Sequence, residues 1–313
     1  MVILYLILYL SDLYYSNWVK GQFLEKPSWV INMKNKHFGI GFLGSSRVYN
    51  MVNMDIIEKK TGYNSINMGS GGASCMENYI TLKFFLDNNN KLDNLYLQID
   101  ASNLIDMHKA FSYPFREYVF FGKMNDEELS EAIKLNNGYL KYYFWKYVPF
   151  VRYAEFSHVF SLRYLIKPLS EKEDNTAYFD STKGSALLLK SLMPDSLLKK
   201  CNDIKGWPLT IDTTSLKYLN KIIDLANEKK INMVLYKAPI YSCYYEKSKI
   251  GVTTENCIDS ISKSRKLKYD DFQNLSLSSD HLKFKDYYHL NETGANILSS
   301  ILADSIVKRK IKN

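Results

Sequence analysis

Apolar positions along this chain recur in two rhythms, a short continuous run and a helical spacing, and the two alternate. His37 to Leu43 (HFGIGFL) reads as a buried strand. Val48, Met51, Val52, Ile56 and Ile57 then share one helical face over residues 47–61, with Gly62 placed as a C-cap. Tyr63 to Met68 is a second strand running into Gly69, Gly71 and Gly72, and a helix near 75–88 carries Tyr79, Leu82, Phe85 and Leu86. A third strand, Asn94 to Ile99, ends at Asp100. Strand followed by helix, repeated, predicts parallel βαβ units and hence an α/β fold with a parallel sheet.

The alternation stops over residues 105–212, which read as a helical, aromatic-rich insert. Phe111 to Tyr164 holds 17 of the chain's 45 aromatic residues, more than a proportional share. Two readings stay open: helices packing aromatic faces on the sheet, or a lid or membrane-facing surface that receives an acyl donor. Residues 170–185 are polar and read as a loop. Periodicity resumes at 214–230 through Leu216, Leu219, Ile223 and Ala226, and Ile231 to Ile240 is a buried strand. Residues 242–285 read as irregular. A last helix from about Glu292 has Asn291 as N-cap, an inner stripe of Ala295, Leu298, Ile301, Leu302 and Ser305, and Lys308 to Lys310 at the negative end of its dipole.

The apolar run Met1 to Leu10 is interrupted by Ser11 and Asp12 and is short of the roughly 20 residues a spanning helix needs. It lacks the basic residue that opens a signal peptide. It is either the tail of a membrane anchor whose start is missing or a buried first helix, and the anchor is the expectation. The organisation is then an N-terminal segment, 1–30, followed by the α/β domain, 31–313.

At 46% hydrophobic and 24% charged residues, the composition is that of a globular core and excludes general disorder. The net charge of +8 is spread over scattered lysines and suits an anionic surface, polymer or headgroup. With no nucleic-acid-binding motif, no nucleic-acid partner is expected. Of Cys75, Cys201, Cys243 and Cys257, none form a C-x-x-C pair; Cys243 and Cys257 could close a short loop in an exported protein, but free buried thiols are the expectation.

The candidate chemistry sits at two distant points. Gly44-Ser45-Ser46-Arg47 places a hydroxyl where a strand gives way to a helix, and Asp286-Tyr287-Tyr288-His289 holds a carboxylate and a base one helical turn apart. A serine needs a base to take its proton, and the base needs a group to fix its tautomer, so Ser46, His289 and Asp286 form a candidate triad. The plainer readings are a helix-capping serine and a surface carboxylate beside a histidine. The glycines at 69–72 lack a dinucleotide fingerprint, and Gly72 is better placed to bring a backbone N–H to a reacting carbonyl. Asp280, His281, Asp286 and His289 match no metal-ligand spacing. No cofactor and no metal are expected.

On these residues the chain resembles the SGNH (GDSL-like) hydrolase superfamily, and within it the membrane-associated branch of the D-alanyl transfer and alginate O-acetylation proteins. Gly44-Ser45-Ser46 matches the nucleophile block with Ser in place of Asp. Asn67 and Gly72 match the second block, and Asp286-x-x-His289 the last. The third block, Gly-x-Asn-Asp, is replaced by Gln98-Ile99-Asp100-Ala101-Ser102-Asn103, leaving Asn103 to reach the oxyanion. The resemblance covers residues 37–103 and 214–306, and it implies a three-layer α/β/α fold around a parallel sheet of flavodoxin-like order. It implies a serine esterase or O-acyltransferase of a cell-surface polysaccharide, extracytoplasmic and membrane-anchored, with Ser46, Gly72 and Asn103 as oxyanion donors. It also implies an acylated glycan or acyl donor, and a membrane-bound acyltransferase, as partners. The alternative is a non-catalytic binding or assembly component of a surface-glycan pathway.

Overall fold

The computed structural model describes residues 2–20, 26–105, 110–111, 116–154, 175–189, 191–206 and 210–310. Within the aromatic-rich stretch from Phe111 to Tyr164, residues 112–115 and 155–164 lie outside them. Five strands, β1 (His37–Leu43), β2 (Ser65–Asn67), β3 (Lys91–Gln98), β4 (Asn232–Lys237) and β5 (Lys268–Asp271), form one parallel sheet of order β2-β1-β3-β4-β5. This is the flavodoxin-like order, with its switch point between β1 and β3. Phe42 pairs with Asn67 of β2 and Tyr96 of β3, so the three strands end together and their following loops converge.

The sheet buries both faces, with side chains alternating between them. Leu95, Leu97, Met233 and Leu235 point to one core; Ile40, Phe42, Tyr96, Val234 and Tyr236 point to the other. Helix α1 spans Val2–Lys20 and α2 Lys26–Asn32, the latter placing Trp29, Val30 and Ile31 in the first core, so the segment read as 1–30 ends against the domain. Residues 47–61 form two helices instead of the expected one, α3 (Ser46–Tyr49) and α4 (Met54–Thr61). The break is made by Asn53, whose side chain caps α4 by accepting from the Asp55 N–H at 3.0 Å. Gly62 ends α4 at φ 72°, the left-handed C-cap that its sequence position predicts.

Helix α5 (Cys75–Asp87) follows β2, and α6 (Ala101–Leu104) follows β3. The insert contributes α7 (Glu117–Phe120), α8 (Glu127–Asn137), α9 (Tyr139–Tyr147), α10 (Val151–Ala154), α11 (Thr176–Ser181) and α12 (Asp195–Cys201). Its aromatic residues do pack on the sheet's helices: Phe120, Phe121, Tyr142 and Trp145 belong to the first core. The polar loop expected at 170–185 contains α11, while 170–174 lie outside the described residues.

Lys83 of α5 clamps the insert by bonding Asp126 and Glu128 of α8, the latter at 2.7 Å, and Lys221 reaches Glu128 from the other side at 3.2 Å. Partial burial pushes the Glu128 carboxyl up, but the bonds from Lys83 and Lys221 outweigh it and bring it down to about 2. The sign follows from linkage: a lowered folded-state value stabilises the ionised form, so the contribution is complete above the ordinary carboxylate range and is lost as pH falls toward about 2. Glu128→Gln therefore flattens the acid limb of stability over that window, as read from urea midpoints in a pH series.

After α13 (Thr213–Glu228) and β4, the segment 242–285 is not irregular. It forms α14 (Ser242–Ser248), α15 (Ile250–Ser264) and the edge strand β5. Ile250, Thr254, Ile258 and Ser262, all buried and four residues apart, make the inner face of α15, but a half-polar stripe hides it from a hydrophobicity count. In α16 (Glu292–Lys310) the buried stripe is Ala295, Leu298, Leu302 and Ile306, with Ile301 and Ser305 at its margin; Asn291 caps it by accepting from the Gly294 N–H at 3.1 Å. Among the described residues no helix is long and apolar enough to cross a membrane.

The cysteines depart from expectation. Cys201 of α12 is bonded to Cys243 of α14, with Cα atoms 6.2 Å apart, while Cys75 and Cys257 are free. Cys243 and Cys257 sit on successive helices, and only the tertiary packing of the insert brings Cys201 to Cys243. The bridge closes a separation of 42 residues. On chain-entropy grounds, Cys201→Ser lowers unfolding free energy by about 4 kcal/mol, measurable by denaturant titration beside the reduced wild type.

Candidate active site

Gly44 turns the chain out of β1. Its φ of 153° and the space around it require glycine, since a Cβ would stand 2.7 Å from Val48 Cγ2 and 2.8 Å from Gln98 Cβ. Ser45 then caps α3, its Oγ accepting from the Arg47 N–H at 3.3 Å, which leaves Ser46 free of the capping role. Ser46 Oγ lies 2.8 Å from His289 Nε2, and His289 Nδ1 lies 3.0 and 2.9 Å from the two Asp286 oxygens. The tight turn 286–289 makes this pairing. Asp286 Oδ1 accepts the backbone N–H groups of Tyr288 and His289 at 2.8 and 2.9 Å. Burial pushes the Asp286 carboxyl up, but the His289 contact and those two amides outweigh it and hold it below the ordinary carboxylate range.

A cavity of about 200 Å³ opens on this chain of groups, lined by Ser46, Gly72, Ala73, Ser102, Asn103, Tyr288 and His289 among others. Gly72 adopts φ 65°, a conformation glycine permits. Asn103 uses its Oδ1 on Gln98 Nε2 (3.1 Å) and on the Asp100 N–H (3.1 Å), so the end of the amide left for the cavity is Nδ2, which donates to Ala73 O at 3.5 Å. The five residues singled out in the sequence thus line or adjoin one cavity. Asp280 and His281 do not join them; Asp280 caps a short turn by accepting from the Leu282 N–H. Among the described residues no group of three or more His, Cys, Asp or Glu side chains is placed to hold a metal.

Two supporting networks were not read from the sequence. In the first, Gln98 Oε1 accepts from Ser45 N–H (3.0 Å) and Ser45 Oγ–H (2.8 Å), while its Nε2 donates to Asp100 Oδ2 at 2.6 Å. Asp100 pairs with Arg47, which also donates to the Ala238 carbonyl, and every member is buried. Asp100, which closes β3, is therefore the counter-charge of the arginine beside Ser46. An arginine next to Ser46 and an acid closing β3 were the available signal. In the second, Arg116 of the insert donates to the Gly71 carbonyl and, at 2.8 Å, to Glu77 of α5, again within the core. Nothing in the local pattern at Arg116 announces this.

Cys75 touches the same region, its Sγ 3.4 Å from Asn103 O, but burial first and the charges of Asp212 and Asp100 next push its thiol up to about 12, which denies it a nucleophile's role. A larger cavity, about 550 Å³, lies at the opposite end of the sheet against the starts of β1 and β3. It holds an exposed His37–Asp93 pair at 2.7 Å with no hydroxyl or thiol nucleophile in its lining, so size does not locate the chemistry here.

The order of these parts along the sheet, Ser46 after β1, Gly72 after β2, Asn103 after β3 and Asp286-x-x-His289 ahead of the last helix, is similar to that of SGNH hydrolases. A family model matches residues 208–310, less than half of the chain. No curated protein matches the sequence. Solved structures similar to the chain include a protein described as lipolytic, of the G-D-S-L family, from Desulfitobacterium hafniense DCB-2 (8% identity, 86% of this chain and 99% of that one, TM-score 0.42). Others are an aryl esterase of M. smegmatis (9%, 87% and 98%, 0.41) and a carbohydrate acetylesterase from Sinorhizobium meliloti (7%, 87% and 99%, 0.40). At such identities and scores these likenesses accompany the fold class, which rests on the strand order itself.

Proposed function

We propose that this protein is a serine esterase or O-acyltransferase acting on acyl groups of a cell-surface polysaccharide outside the cytoplasm. The observation that carries the reading is the continuous chain from Ser46 Oγ through His289 to Asp286, open to a cavity. Ser46 Oγ attacks the acyl carbonyl as His289 Nε2 takes its proton; Asp286 holds the opposite ring N–H and stabilises the imidazolium. The oxyanion meets the Ser46 and Gly72 amides and Asn103 Nδ2. His289 then returns the proton to the departing alcohol, and water or a sugar hydroxyl takes the acyl group from Ser46 by the reverse steps. The same triad serves both acceptors. The Cys201–Cys243 bridge supports an oxidising compartment. An acylated glycan or acyl donor is the substrate, and a membrane-bound acyltransferase is the proposed partner.

The test is labelling with a fluorophosphonate probe, read by mass spectrometry. The expected adduct is on Ser46, absent in Ser46→Ala and lost in His289→Ala. A folded protein that takes no label would overturn the enzymatic reading and leave the non-catalytic binding or assembly role.

A further inference from the structure

Helix α9 turns an apolar face outward. Tyr139, Leu140, Tyr143, Phe144 and Tyr147 are between 44% and 90% exposed, whereas Tyr142 and Trp145 on the opposite side are buried. At about 100° per residue the five outward residues fall within an arc of about 140°. Lys141 and Lys146 bound that arc on its two edges, their ammonium groups 4.8 Å from the Trp145 ring and 5.9 Å from the Tyr147 ring. Lys134 of α8 stands over Tyr139 and Tyr143 at 5.7 and 5.6 Å. The helix contains no acidic residue.

Helix α1 adds to the same surface. Its apolar side chains from Val2 (82%) to Tyr14 (53%) are exposed apart from the half-buried Leu8, and it is fixed to the insert through Asp12. That carboxylate bonds Arg152 Nη2 at 2.6 Å and accepts the Phe150 N–H at 2.9 Å. Tyr5 and Tyr9 of α1 share a small cavity with Trp145, Lys146 and Tyr147 of α9, so the two apolar surfaces adjoin along the Lys146 edge.

We propose that α1 and α9 together dock this protein on an anionic lipid bilayer, lying in the boundary between headgroups and acyl chains. Tyrosine and phenylalanine on one arc with lysines at its rims is the composition of an interfacial helix: rings enter the boundary while lysine stems run along it and hold their charge at the headgroups. Charge selects lipid over a second copy of this chain. A self-association through this face would set lysine rim near lysine rim on chains of net charge +8, whereas anionic headgroups complement it. Contact through α9 is by lying on the surface, since this nine-residue helix is only about 13 Å long. Nothing in this rests on the chemistry at Ser46.

The experiment is co-sedimentation of the full chain with vesicles of phosphatidylcholine alone and of an equimolar phosphatidylcholine–phosphatidylglycerol mixture. Tighter binding to the mixed vesicles is expected. Leu140→Ser/Phe144→Ser should weaken it by about 100-fold. Lys141→Gln/Lys146→Gln should weaken it by about 30-fold on mixed vesicles with little change on neutral ones. Circular dichroism checks the fold, and if the serine variant does not fold the glutamine variant still decides. Absent binding, equal affinity for both vesicles, or unaltered binding by the folded variants overturns the proposal. So does a solution dimer that the same substitutions dissolve when no vesicle binding occurs, which would give the face to a second copy.

Discussion

Asp286→Asn is expected to lower kcat for hydrolysis of a soluble acetyl ester by about 10⁴-fold without unfolding the protein. The geometry explains the size. Asp286 Oδ1 already accepts two backbone N–H groups, from Tyr288 and His289. An asparagine keeps its oxygen there and turns its NH₂ toward His289 Nδ1, where Asp286 Oδ2 now sits at 2.9 Å. The ring must then accept at Nδ1 and carry its proton on Nε2, which faces Ser46 and can no longer take the hydroxyl proton. Steady-state kinetics at neutral pH, with ring-nitrogen NMR for the tautomer, would check it. An Asn variant with wild-type kcat would remove Asp286 from the mechanism. A stability effect accompanies this: the lowered Asp286 carboxyl favours the folded state above the ordinary carboxylate range and loses that contribution as pH falls through its folded value, so the variant's acid limb is shallower.

Arg116→Ala is expected to act on the oxyanion site although Arg116 lies in the insert. A trans peptide sets its C=O and the following N–H in opposite directions, and there is no cis peptide in the described chain. By holding the Gly71 carbonyl, Arg116 therefore fixes the direction of the Gly72 N–H beside the cavity. Releasing the carbonyl loosens that peptide, and with the Gly72 N–H as a proposed oxyanion donor the expected loss is about 10²–10³ in kcat. The single variant also removes the buried Arg116–Glu77 ion pair, which destabilises the fold. The double variant Glu77→Leu/Arg116→Met separates the effects: both charges of the pair are gone, so part of the stability returns, while kcat stays low because Arg116 no longer holds Gly71 O. Recovery of both would make Arg116 a purely structural residue.

The readable parts of the fold were those with a local cause. Strands β1, β3 and β4 show as apolar runs because parallel strands are covered on both faces, and Gly62 and Asn291 show as caps because helix ends need them locally. Helix α15 and strand β5 escaped notice because their inward residues are half polar and β5 is an edge strand. The helix expected over 47–61 was broken by Asn53, where a side-chain cap outcompetes continued helix. The Cys201–Cys243 bridge could not be read, since its partners are brought together by the insert's packing and by no spacing rule.

The same division runs through the candidate site. From the sequence alone came the α/β class, the positions of Ser46, Asp286 and His289, and the glycine at 72, because strand ends, tight turns and an i,i+3 pair are short-range features of the chain. The 2.8 Å contact between Ser46 and His289, the burial of Arg47 against Asp100 and the reach of Arg116 to Gly71 were decided by the tertiary structure. Each of those depends on strand order and helix docking across 45 to 243 residues of chain, which residue types and local periodicity do not encode singly.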